Sequence, residues 1–194
     1  MWILGAAAAL STFCSLTQAG HASVNAPRPL SARARADAWI PAEAQRLSGR
    51  LLSVTCADGR DDWARTVGSV GLPAADAEEY YGFSLIQAGE MHLSPYVCRG
   101  LQLGRAAASR RSNELQVAWS TDVLLHESAH LGRFTADESL TEACARVALP
   151  AELHRLYGIA YHSAEIERLT SSAALFRRTM SAAYQGGECP PSPR

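Results

Sequence analysis

The stretch 113–130 sets two histidines and a glutamate into a segment that is otherwise apolar around much of its girth. Leu115, Ala118, Trp119, Val123, Leu125 and Ala129 recur at spacings near three and four, which predicts an amphipathic helix. Val123, Leu124 and Leu125, just ahead of His126, widen the apolar face, so the helix is expected to be buried. A buried imidazole or carboxylate needs a partner. His126 and His130 are four residues apart and so share one helix face, where a single metal ion can take a nitrogen from each. Glu127 completes the pattern H-E-x-x-H, and from there a carboxylate can act on a water held at the ion. A metal satisfies all three polar side chains at once. Solvation of this face, or hydrogen bonding within the core, is the competing explanation.

The flanks predict where this helix begins and ends. Asn113 with Gln116 has the spacing of an N-terminal cap, and Gly132 stands where a C-terminal glycine would stop the helix. Thr135 and Glu138 have capping-box spacing, so a second helix is expected over 137–149, ended by Pro150. The short connection folds this helix back along the first as an αα-hairpin. Glu138 and Glu142 lie one turn apart on it. Either can complete a His-His-Glu site with the fourth position left to water, and Asp137 is a third, weaker choice.

Asp137-Glu138 followed by Glu142 resembles the N-E-x-x-x-D segment of the gluzincin branch of zincin metallopeptidases. The resemblance implies that Glu138 binds zinc and that Glu142 orients His126 or His130. Only seven residues separate His130 from Glu138, fewer than in typical gluzincins. The Gly132 turn resembles that of metzincins, displaced by one position; in that reading Asp137 competes for the ligand role. The chain as a whole resembles a group of secreted zincin-like proteins of high-GC bacteria. The shared segments are Val54-Thr55-Cys56, Leu93-Ser94-Pro95-Tyr96-Val97-Cys98, the H-E-x-x-H motif, 137–142 and Glu188-Cys189. This resemblance implies a fold and a Zn2+ cofactor, and no particular substrate.

Residues 2–16 are apolar and uncharged and are followed by small residues at Ala19 and Ala22, so 1–22 reads as a secretory signal peptide rather than a membrane anchor. Residues 23–36 read as a flexible linker, and 37–194 as a single domain. Beyond the leader there remain Cys56, Cys98, Cys144 and Cys189, an even number that in an exported chain argues for two disulfides. Three pairings are open; the preferred expectation is Cys56 with Cys98 and Cys144 with Cys189. Cys144 as a zinc ligand is the lesser alternative.

The formal net charge is −1, with 18 basic residues, all arginine. They are scattered among acids and form no patch, which argues against a nucleic-acid partner. A helix broken near Pro41 is expected over 36–47, a strand over 51–56 and a polar turn over 58–62. A hairpin is expected from 81–86 and 90–93, then a short helix capped by Ser94, a loop over 105–112, and late helices over 151–160 and 164–184. The fold class is therefore α+β: a short N-terminal sheet and a helical half carrying the metal. In zincins an edge strand borders the cleft, and by resemblance 91–93 is its candidate.

The chemistry expected is hydrolysis of a peptide bond in a peptide or protein substrate. His126, His130 and Glu138 or Glu142 would hold the ion, with Glu127 as general base. Tyr157, Tyr161, His162 and Tyr184 are unassigned candidates for stabilising the oxyanion, while His92 and His154 read as structural. The alternative is a secreted, disulfide-bonded zinc-binding module without turnover.

Overall fold

The computed structural model describes residues 39–50, 52–103, 108, 110–180, 182–184 and 187–190; the expected leader and linker lie outside the described residues, as do residues 105–107 and 109 of the loop expected at 105–112. The described elements, in order, are α1 (Trp39–Ser48), β1 (Ser53–Cys56), α2 (Arg60–Ser69), β2 (Gly82–Leu85), β3 (Glu90–Leu93), α3 (Pro95–Gln102), α4 (Glu114–Arg133), α5 (Glu138–Tyr157) and α6 (Ala164–Arg177). Short 3-10 turns occur at Ala74–Glu79, Arg111–Asn113 and Ala182–Tyr184. The class is α+β.

Helix α4 is the axis of the fold. Val117, Ala118 and Leu125 face Ala145, Leu149 and Leu153 of α5 and Ile166, Leu169 and Ala173 of α6. On another face, Trp119, Val123, Leu124 and Leu131 meet Ile40 and Ala44 of α1, Met91 and Leu93 of β3, and Val97 and Leu101 of α3. Burial on several sides explains why the polar residues of α4 must find partners inside the protein. A satellite core of Trp63, Val67 and Ala77 lies under α2. Trp63 and Val67 stand one turn apart, which is why the expected polar turn at 58–62 becomes the start of a helix.

The ends of α4 differ from expectation. Asn113 makes no side-chain cap, because the turn at Arg111–Asn113 leads straight into the helix. Gly132 lies inside α4, which runs on to Arg133 and closes on Phe134 in the left-handed conformation (φ 53°). The guanidinium of Arg50 lies 5.0 Å from the centre of the Phe134 ring. The glycine serves packing: a Cβ at 132 would stand 2.9 Å from the Ser48 carbonyl oxygen, where α1 ends against α4.

Helix α5 also overruns its expected end. It passes through Pro150 to Tyr157, so the separate helix expected at 151–160 is its continuation, and Gly158 caps it at φ 63°. Proline removes the hydrogen bond to the carbonyl four residues back. That carbonyl belongs to Arg146, an exposed residue, where water can take the missing donor's place. The N-cap of α5 is Asp137, whose carboxylate accepts from the Leu140 amide; Thr135 accepts from the Asp137 amide. The Thr135–Glu138 capping box is therefore not formed, and Glu138 is free for other work. Pro41 sits in the first turn of α1, where its missing amide costs nothing and breaks nothing. Helix α6 stops at Arg177 rather than continuing to 184.

The hairpin β2–β3 pairs Gly82 with Leu93 and Leu85 with Glu90, antiparallel. Strand β1 then joins β3 in parallel, giving the order β1-β3-β2. The candidate edge strand 91–93 is thus the central strand. The connection through α2 brings β1 onto the open side of β3, so β1 and β2 are the two edges, and β2 is the edge that lines the cleft. Cys56–Cys98 ties β1 to α3, and Cys144–Cys189 ties α5 to the C-terminal segment. Among the described residues no helix is long and apolar enough to cross a membrane.

Candidate metal centre

Helices α4 and α5 form the expected αα-hairpin, and their facing turns carry the site. Nε2 of His126 lies 3.0 Å from Nε2 of His130 and 2.9 Å from Oε2 of Glu138; His130 Nε2 lies 3.3 Å from the same oxygen. Three donors held by zinc at about 2.0–2.1 Å in tetrahedral directions would stand about 3.3 Å apart. The observed triangle is close to that. His126, His130 and Glu138 form a group that can hold a metal ion.

The other nitrogens explain why a cation is wanted. Nδ1 of His130 lies 2.8 Å from the Thr135 carbonyl, which can only accept, so Nδ1 carries the hydrogen and donates it. Nδ1 of His126 donates in the same way to Oε2 of Glu142 at 3.2 Å. Neutral rings therefore present two Nε2 lone pairs to one another beside a carboxylate oxygen. That arrangement is repulsive unless a cation or a proton stands among them. Without a metal, a proton takes the place: burial opposes charge on His126, but hydrogen bonds to Glu138 and Glu142 outweigh it and raise its pKa to about 10. His130 is shifted upward as well, against burial, chiefly by Glu138. Burial works against ionisation of Glu138, yet the two imidazoles hold its pKa down to about 2.

Glu142, the other expected ligand, lies on the far side of the His126 ring from the Nε2 cluster. It sits one turn further along α5 than Glu138, too deep to reach the converging donors. Asp137 is occupied at the N-cap of α5. Thr141 reaches 3.4 Å from both Nε2 atoms, with its hydroxyl close to the Asp137 and Glu138 carbonyls. Cys144 is in a disulfide and takes no part.

Glu127 points to a different side of α4. The Ser84 hydroxyl of β2 donates to its Oε2 at 2.7 Å. Burial pushes the Glu127 carboxyl upward, while His126, His130 and the Ser84 hydroxyl pull it back. Strand β2 comes this close because residue 82 is glycine: a Cβ there would stand 3.1 Å from Val123 and 3.2 Å from Glu127. A cleft of about 320 Å3 opens between β2 and the metal site, its apolar wall including Tyr81, Phe83, Ile86, Val123 and Met180. Tyr184 lines the same cleft with its ring centre 5.7 Å from that of His126. Its phenol is pushed upward by burial and by the carboxylates of Glu138, Glu127 and Glu142. Tyr157, by contrast, is a buried core residue beside Thr121, and Tyr161 and His162 pack on each other at the surface.

Beneath the site lies a group that sequence reasoning missed. Asp122, one turn before His126 on α4, is ion-paired to Arg177 at the end of α6, and Arg177 also pairs with Glu142. All three are buried. Burial and the nearby Glu142 push the Asp122 carboxyl upward, against the pull of Arg177. Asp122 was detectable in principle, as an acid on the histidine face of an apolar helix; Arg177 and Ser84 carry no such local signal. A scan against models of known protein families, a search of curated proteins and a search of solved structures each find no match.

Proposed function

We propose that this chain is an exported zincin-like zinc metallopeptidase. The observation that carries the reading is the convergence of two Nε2 atoms and the Glu138 carboxylate beside a buried glutamate at the head of an open cleft. His126, His130 and Glu138 would hold the ion; a set of two imidazoles and one carboxylate suits zinc. When bound, zinc supplies Lewis acidity and lowers the pKa of a coordinated water toward neutrality.

The chain's own groups do the rest. Glu127 accepts the proton of the attacking water and passes it to the leaving amine. Its raised pKa suits that task, and the Ser84 hydroxyl engages Oε2, leaving Oε1 for water. Tyr184 stands near enough to the metal ligands to donate its phenolic hydrogen to the developing oxyanion. The edge strand β2 supports a peptide substrate. The Ser94 amide donates to the Tyr81 carbonyl, which sets the phase of the ladder. Tyr81, Phe83 and Leu85 therefore bond toward β3, and Gly82 and Ser84 turn their N–H and C=O groups outward, where an extended chain can pair with them. Two disulfides support export to an oxidising compartment.

The test is metal content together with cleavage of a mixed peptide library by the oxidised protein. Zinc should bind one to one, and Glu127→Gln should keep it while losing cleavage by at least about a hundredfold. Stoichiometric zinc without Glu127-dependent cleavage would instead favour the binding module without turnover, and absence of zinc from the wild type would remove both readings.

A further inference from the structure

Two glutamates one turn apart on α5 face the same histidine, yet only Glu138 reaches the converging donors. Something has to keep Glu142 where it is. A buried carboxylate beside an open cation site gains by swinging toward the cation, and glutamate has three rotatable bonds with which to do it. The restraint is visible on the opposite side of Glu142. Its Oε1 is ion-paired with the Arg177 guanidinium without a hydrogen bond of its own, while the Nε–H and an Nη2–H of that guanidinium go to the two oxygens of Asp122.

The placement of this group is informative. Asp122 is four residues before His126 on α4, and Glu142 is four residues after Glu138 on α5. Arg177 therefore bridges the two ligand helices one turn below the donors, from the last residue of a third helix. Its side chain is 7% exposed, and those of Asp122 and Glu142 are 1% and 2%. Burying three charges is costly, and a well-packed apolar trio would hold the helices together at least as well. A planar fork to Asp122, however, fixes the guanidinium itself, and the guanidinium so held sets its positive charge against Oε1 of Glu142, which apolar packing cannot do.

We propose that Arg177, anchored by Asp122, is a positioning residue that assigns the two glutamates their roles. By holding Oε1 of Glu142 it leaves only Oε2 for Nδ1 of His126. The His126 hydrogen is thereby kept on Nδ1, its Nε2 lone pair is presented to the metal, and Glu138 is left as the carboxylate ligand. The inference rests on the metal reading of the site and does not require turnover.

The experiment is Co2+ and Zn2+ affinity by competition with a chromogenic chelator, with imidazole NMR of the Zn2+-loaded protein, on the wild type, Arg177→Met and Arg177→Lys. Expected for Arg177→Met is a loss of affinity of about 10- to 100-fold, the usual effect of removing support behind a metal-bound histidine. The His126 Nδ1–H resonance should shift or broaden by exchange. The His130 Nδ1–H resonance should stay, because its acceptor is a backbone carbonyl that Arg177 does not touch. Arg177→Lys keeps the charge without the fork and should restore less than half of the lost binding free energy. If Arg177→Met does not fold, Asp122→Asn, of equal size, loosens the same guanidinium and should give the same His126-specific change. Affinity within twofold of wild type, or equal disturbance of both histidines, overturns the proposal. A wild type that binds neither metal overturns the site itself, which is a different result.

Discussion

Metal binding at this site should be driven uphill by acid, with a steepness the structure sets. In the metal-free protein His126 has its pKa raised to about 10, because Glu138 and Glu142 outweigh the cost of burying its charge. Its Nε2 is then protonated throughout the neutral range, and a metal must displace that proton. At pH 7 this is about three units below the pKa, a handicap of roughly 4 kcal/mol at about 1.4 kcal/mol per unit. The apparent dissociation constant should therefore fall about tenfold per unit as pH rises from 6.5 to 8.5, and more steeply toward the acid end, where His130 also gives up a proton. Chelator competition at five pH values measures the slope. Calorimetry in buffers of different ionisation enthalpy counts the protons independently, with one to two expected per ion. A dissociation constant that does not change between pH 6.5 and 8.5, or fewer than about half a proton released, would refute the reasoning: the lone pairs would not be competing with a proton, and the geometry ascribed to them would be wrong. The same shifts govern stability without metal. A raised histidine pKa stabilises the folded state below about pH 6.5, and this support fades as pH climbs toward 10. The lowered Glu138 pKa gives support that is present above about 4.5 and is lost as pH falls toward 2.

Further outcomes can be checked on the same protein. Glu138→Gln should weaken zinc binding far more than Asp137→Asn, since Glu138 reaches both Nε2 atoms while the Asp137 carboxylate caps α5; equal loss in chelator competition would count against the ligand set. Gly132→Ala adds a Cβ 2.9 Å from the rigid Ser48 carbonyl, and the overpacking, about 1–3 kcal/mol, should outweigh a helix-propensity gain of about 1 kcal/mol. A lower denaturation midpoint in urea is expected, and a higher one would refute the close approach. Replacing Cys144 and Cys189 together by alanine opens a cross-link across 45 residues and should cost about 4 kcal/mol by chain entropy, read as a fall in melting temperature. Ser84→Ala should leave zinc affinity unchanged while lowering kcat of any peptide cleavage, because the hydroxyl touches Glu127 and no metal ligand.

What could be read from the sequence was what is local. The spacing of His126 and His130, the glutamates one turn apart on the next helix, the hairpin around Gly89 and the Ser94 cap all depend on contacts within a few residues, and periodicity reports such contacts directly. The signals that misled were local as well. Gly132 and Pro150 look like helix ends, and each is overruled by its surroundings: the one by the close approach of Ser48, the other by an exposed turn of α5 that tolerates a missing hydrogen bond. Sequence alone determined that two histidines and a glutamate in the H-E-x-x-H spacing sit on a helix that must be buried, so that each polar side chain needs a partner inside the protein. Tertiary structure decided which carboxylate joins it and which supports it. It made β2 rather than β3 the edge of the cleft and brought Ser84 and Arg177 to the site. The physical reason is range: those outcomes depend on β1 arriving beside β3 and on α6 packing under α4 and α5, and no spacing within a single helix or hairpin encodes either.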